Sequence, residues 1–195
     1  AEFEIQDKYI CHCSGACTAE EAFPGIHAQG AYAISIHLLF PISSKYNCWR
    51  ELAGAFFCVE GDAQAVEVFV PLLRGLGLQV QTISPESKAQ YHLSCALASN
   101  FVCALVQRSA ELLGGCGFSE EDALRALTPL MRSNMTHLLE HGAVSALTGP
   151  IERGDTQTVQ KHLSCLTERD DRQLYALLGL EQVKMAQEKH PEQDY

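Results

Sequence analysis

The sequence predicts an α/β unit built on a parallel sheet over residues 1–84, followed by an all-helical region over residues 85–195. Three observations carry this. Short apolar runs alternate with helix-like segments up to Ser84-Pro85. After that dipeptide, apolar residues recur at helical spacing almost to the C-terminus. Alternating strands and helices favour a parallel sheet, whereas an unbroken 3.6-residue period favours helix on helix.

Each element has its own signal. The apolar runs Tyr9–Cys13, Ala31–Leu39, Ala55–Val59 and Leu78–Ile83 read as four strands. They close on Ser14-Gly15, on a polar loop, on Glu60-Gly61-Asp62 and on Ser84-Pro85, residues that favour turns. Between the last two strands lies an amphipathic helix, Ala63–Leu76, with Asp62 as its cap and Gly75 and Gly77 at its end. Glu86–Leu113 reads as one long helix, apolar all round and ended by Gly114-Gly115. Such a helix is expected to be buried in a helical core or at a subunit interface. Ser119-Glu120-Glu121-Asp122 opens the next helix, which runs to about His141. A loop over 148–155 follows, then a helix capped by Asp155 or Thr156 and ending near Leu166, then a last one from Asp171 to about Lys189.

Composition narrows the class. Apolar residues make up 47% and charged residues 19%, with a net charge of −10. Without a basic run, nucleic acid is not an expected partner, because phosphate neutralisation needs clustered Lys and Arg. Nine cysteines lie singly in apolar stretches, which reads as free thiols in a reducing cytoplasm. The N-terminus lacks the basic-then-apolar order of a signal peptide, and no stretch reads as long and apolar enough to span a bilayer. A membrane is therefore not an expected partner.

Several residue groups could carry chemistry. Lys88 and His92 stand at i and i+4 on one helix face, with Ser99 about two turns beyond His92 and Asn100 beside it. Reduction of a carbonyl or imine needs a donor or cation at the developing oxyanion and a proton source, which this set supplies. The same spacing also fits a solvated lysine at a helix start and a histidine satisfied in the core. His12, Cys13 and Ser14 end a strand on the side where open α/β sheets bind ligands. Cys11, Cys13, Cys17 and His12 do not have the knuckle spacing of a structural zinc site, so no metal is expected. In the late loop, Gly149-Pro150 forces a turn, Gly154 permits unusual dihedrals, and Arg153 is placed to bind an anionic group. Asn134, His137 and His162 are polar positions on the later helices, open to either a site or an interface role.

The chain carries no Gly-x-Gly-x-x-Gly, and its four strands compare with six in a complete dinucleotide-binding fold. On this reading the sequence begins in the middle of a fold.

Several motifs resemble the Rossmann-like oxidoreductases with a C-terminal helical domain of unknown function, relatives of pyrroline-5-carboxylate reductase, ketopantoate reductase and the 6-phosphogluconate dehydrogenase group. They are His12-Cys13-Ser14-Gly15, Lys88-Ala89-Gln90-Tyr91-His92 with Ala98-Ser99-Asn100, Leu147-Thr148-Gly149-Pro150 with Arg153-Gly154-Asp155, and His162-Leu163. The resemblance implies a preceding segment completing the dinucleotide domain, NADP or NAD as cofactor, a small-molecule substrate, and a homodimer through the helical part. It implies catalytic roles for Lys88, His92 and Asn100, cofactor contacts at His12, Cys13, Ser14 and Gly15, and substrate contacts at Ser35, His37, Thr148 and Arg153. Relatives place Pro directly after the histidine aligned with His37, whereas here the chain reads His37-Leu38-Leu39-Phe40-Pro41. The expected activity is hydride transfer to or from a small carbonyl, imine or hydroxy acid. The alternative is a non-catalytic dinucleotide-binding or dimerisation protein on the same scaffold.

Overall fold

The structure, a computed structural model, describes residues 4–42, 44–46, 49–52 and 54–195. It contains β1 (Tyr9–His12), α1 (Ala19–Ala22), β2 (Tyr32–Leu39), β3 (Phe56–Gly61), α2 (Ala63–Gly75) and β4 (Gln79–Thr82). Then come α3 (Lys88–Ala98), α4 (Asn100–Gly114), α5 (Glu120–His141), α6 (Ala143–Ala146), α7 (Thr156–Cys165) and α8 (Arg169–Lys189). The fold class is the predicted one, α/β first and helical afterwards. The chain divides into two compact units, Ala1–Arg108 and Ser109–Tyr195, and the compositional change at Ser84-Pro85 falls inside the first.

The sheet has the order β1-β2-β3-β4. β1 with β2 and β3 with β4 pair in parallel, but the middle pair, β2 with β3, is antiparallel. The cause is in the connections. α2 crosses over between β3 and β4, and α1 with a 3-10 turn (Ile26–Gln29) crosses between β1 and β2. The β2–β3 connection holds only a short 3-10 turn (Trp49–Leu52) among its described residues. A parallel return needs a crossover element, and without one the chain pairs back antiparallel.

Ile34, Val59 and Val80 from the sheet pack on Ala65 and Val70 of α2. A second cluster, Ala19, Ile26, Ala31 and Ala33, closes the β1 side. Asp62 stands at the start of α2 as expected, yet makes no side-chain cap bond. Its carboxylate instead accepts from the Ala33 N–H at 2.5 Å and meets His27 at 3.1 Å. Gly61 beside it has φ 140°, and a Cβ there would collide with the Ala33 carbonyl. Only glycine lets β3 end this close to β2.

Two expectations about the long helix are corrected, and a third is narrowed. It is two helices, broken at Ser99 (φ −124°, ψ −75°). Ser and Asn compete for backbone hydrogen bonds and so favour such breaks. Within the single chain Leu93, Leu97 and Phe101 are 53%, 54% and 51% exposed, so of the two expected covers the helical core is not the one found. Finally, Pro85–Gly114, with a mean hydropathy of 1.2, is long and apolar enough by composition to cross a membrane. Residues 89–107 carry no Asp, Glu, Lys or Arg, because the charges sit at the two ends.

In the second unit α5 opens on Ser119, which accepts from the Asp122 N–H, and α7 opens on Asp155, which accepts from the Thr158 N–H. Both caps are as predicted. Glu152 gathers Lys189 at 3.1 Å and His190 at 2.8 Å, and its carbonyl accepts from the Tyr195 hydroxyl at 2.7 Å. Two charge-assisted bonds and a hydroxyl thus hold the C-terminal residues against the loop before α7.

Candidate active site

The polar residues of the first unit converge because strand register brings them together. His12 on β1 stands opposite Ser35 on β2, and Ser35 stands opposite Glu60 on β3. Two residues further along β2, His37 faces Cys58. The start of α3 then lays Lys88 across this row. Its ammonium meets Glu60 Oε1 at 2.9 Å and donates to the Ser35 hydroxyl. Glu60 Oε1 also accepts from the Ala19 N–H at 2.9 Å, so one carboxylate joins β3, α1 and α3. All three side chains are buried. A buried carboxylate and ammonium persist only when paired and hydrogen-bonded, and here both are.

The network reaches the loop after β1. The Ser35 hydroxyl contacts the Ser14 carbonyl at 3.4 Å. Ser14 Oγ accepts from the backbone N–H of Ala16 and of Cys17, and the Ser14 N–H donates to His12 Nδ1 at 3.2 Å. That bond places the neutral imidazole's proton on Nε2. Burial, and then the charge of Lys88, hold His12 below the ordinary histidine value. Gly15 is buried, and a Cβ on it would fall 2.7 Å from His37 Nε2 and 2.7 Å from His92 Cδ2. A side chain here would have to displace the two imidazoles that close over it.

His37 and His92 line a cavity of about 490 Å³ together with Phe40, Ile42, Ser99 and Asn100. The break between α3 and α4 therefore forms part of its wall. His37 Nδ1 lies 2.6 Å from the Tyr91 hydroxyl. Burial lowers the His37 pKa, and the charges of Lys88 and His92 lower it further. Burial holds the Tyr91 phenol well above its ordinary value, reinforced by the thiols of Cys58 and Cys95.

Most of the residues singled out in the first unit are brought together: His12, Ser14, Gly15, Ser35, His37, Lys88, His92 and Asn100. Lys88 does not line the cavity; it is buried behind it. Cys13 is exposed. Thr148 and Arg153 belong to the second unit, where both are exposed. Arg153 contributes to lowering the pKa of Asp155, after the dominant hydrogen bonds from Thr158. His162 pairs with Tyr175 at 2.9 Å, and His137 meets His141 edge to face with ring centroids 4.4 Å apart. The second unit has its own cavity of about 510 Å³, with largely apolar walls including Ile151, Val159, Leu163 and Tyr195. Among the described residues no group of His, Cys, Asp and Glu suits a metal ion.

Two residues of the site carry no assigned role in the sequence reading. Glu60 reads as a turn residue closing β3; its signal is a carboxylate at the end of an otherwise apolar run. Tyr91 sits inside the Lys88–His92 motif, three residues after Lys88 and next to His92, and only the fold shows that it meets His37.

Solved structures repeat this fold. Protein TM1727 from Thermotoga maritima matches over 94% of this chain and 70% of its own, at 26% identity and a TM-score of 0.78. A Bacteroides fragilis protein named as a putative NADP oxidoreductase, BF3122, matches over 90% of this chain and 65% of its own, at 18% identity and a TM-score of 0.71. No curated protein matches the chain. The chain shares its fold with these two proteins. By sequence, residues 55–182 match the family described as a domain of unknown function, DUF2520, and the chain belongs to that family.

Proposed function

We propose that this chain is the substrate-side part of an NAD(P)-dependent oxidoreductase acting on a small carbonyl, imine or hydroxy acid. The observation that carries this reading is the cavity in which His37, His92 and Asn100 meet, backed by the buried Lys88. The cofactor fit is divided. His12–Gly15 close β1 at the strand end where α/β sheets bind ligands, which suits a nicotinamide ring. The described residues contain no glycine-rich phosphate loop, so the fit extends to the nicotinamide end and not to the phosphates. The chain spans 70% and 65% of the lengths of the two solved neighbours.

When bound, the nicotinamide supplies the hydride. The chain's own residues do the rest. As the substrate carbon gains two electrons, the π pair of its double bond moves to the oxygen or nitrogen. His37 donates a hydrogen bond to that atom and stabilises the growing charge. His92, at the exposed side, gives it a proton and recovers one from water. The Asn100 amide orients the substrate. Lys88 is too deep to touch the substrate; it acts as a fixed charge behind His37. The protein works in the cytoplasm, on this reading, as a homodimer. The exposed stripe Leu93, Leu97 and Phe101 supports the dimer, and light scattering tests it: a monomer at micromolar concentration refutes it.

The functional test is NADPH oxidation by the full-length polypeptide against a panel of small carbonyl compounds and imines. Substrate-dependent oxidation supports the enzyme. Binding of NADPH without oxidation by any compound supports the non-catalytic alternative.

A further inference from the structure

Tyr91 stands apart from the residues that line the cavity, yet its hydroxyl makes the shortest polar contact of His37, 2.6 Å to Nδ1. We propose that Tyr91 is the positioning residue of the site: it donates its proton to His37 Nδ1, locking His37 as the Nε2–H tautomer and leaving that N–H as the donor for a substrate oxygen. This deepens the functional reading above and rests on it for the identity of the acceptor.

The direction of the bond follows from the surroundings. A phenol has one proton to give. Its candidate acceptors are the imidazole nitrogen and the thiols of Cys58 and Cys95, which also contact it. A thiol sulfur accepts hydrogen bonds weakly, whereas an imidazole nitrogen accepts well. The proton therefore goes to Nδ1. Tyr91 also retains it, because burial opposes the phenolate. The other groups facing His37 are consistent with a neutral ring. Lys88 and His92 come from α3, and both disfavour a charge on it. Cys58 faces it from β3 and Gly15 from the loop after β1. His37 Nε2 and the His92 ring both lie over the face of Gly15 where a side chain would stand. The ring is thus fixed by a hydroxyl at Nδ1, while Nε2 faces the space that the missing side chain of Gly15 leaves open. Among the described residues no protein acceptor is recorded for Nε2. A neutral imidazole held this way polarises an oxygen without bringing a full charge, and which nitrogen carries the proton decides whether it can.

Long-range ¹H–¹⁵N spectra of the protein without cofactor or substrate test this, with the His37 resonances assigned by His37→Gln. The expected wild-type result is an unprotonated Nδ1 and a protonated Nε2. Tyr91→Phe is expected to shift His37 toward a mixture of tautomers, whereas Cys58→Ala leaves it as Nε2–H. A protonated Nδ1 in the wild type overturns the proposal, and so does an unchanged His37 pattern in a folded Tyr91→Phe protein. If Tyr91→Phe does not fold, the wild-type spectrum decides alone. The readout is independent of turnover. A protein with the expected tautomer and no reductase activity refutes the functional reading only, and the reverse outcome refutes this one.

Discussion

The Lys88 ammonium and the Glu60 carboxylate face each other at 2.9 Å, with only 2% and 1% of their side chains exposed. Removing one partner of such a pair leaves the other buried and uncompensated, at a cost of about 3–5 kcal/mol. Lys88→Met and Glu60→Leu are each expected to destabilise by that amount in urea unfolding. The double variant is expected to recover most of the loss, because an apolar pair of similar volume carries no stranded charge. Additive losses in the double variant would contradict the pairing.

Gly15 has ordinary backbone angles, so the reason for glycine there is space. Gly15→Ala places a methyl 2.7 Å from two imidazoles. Overpacking of this kind costs about 1–3 kcal/mol. The expected result is a loss in that range together with displaced His37 and His92 side-chain resonances. Unchanged histidine signals would mean the loop yields instead.

The pH dependence has a definite sign. His12 and His37 both have lowered values in the folded state, each chiefly through burial. Below about pH 6.5, the ordinary histidine value, the unfolded chain takes up protons that the folded chain resists. Their stabilisation is therefore complete above that value and is lost as pH falls through the window down to the folded values. The melting temperature is expected to fall from pH 7 to pH 5, and less steeply in His12→Asn and His37→Asn. In Lys88→Met/Glu60→Leu the His37 pKa is expected to rise, since a nearby cation is gone; NMR titration reads this directly.

Much of this molecule was legible in the sequence. The four strands and α2, α5, α7 and α8 follow from apolar period and end signals, and Ser119 and Asp155 cap as their residue types demand. Strand direction was not legible, because alternation within Ala31–Leu39 says which face is buried and nothing about its partner. Glu60 was hidden for the same reason: it becomes a site residue only through its register with Ser35. The motif around Lys88 marked a helix face but not the depth of the lysine. Spacing places side chains on a face; only packing says whether that face meets the sheet or the cavity. The exposure of Leu93 and Leu97 was likewise unreadable, since apolar composition does not reveal whether the chain supplies its own cover.

The central claim is that the cavity beside Gly15 is the reducing end of a nicotinamide site. A crystal structure of the full-length polypeptide grown with NADP tests it most directly. The account predicts the nicotinamide ring against His12–Gly15, opening toward His37 and His92. An ordered cofactor whose ring lies elsewhere, or no bound cofactor at saturating concentration, would contradict it.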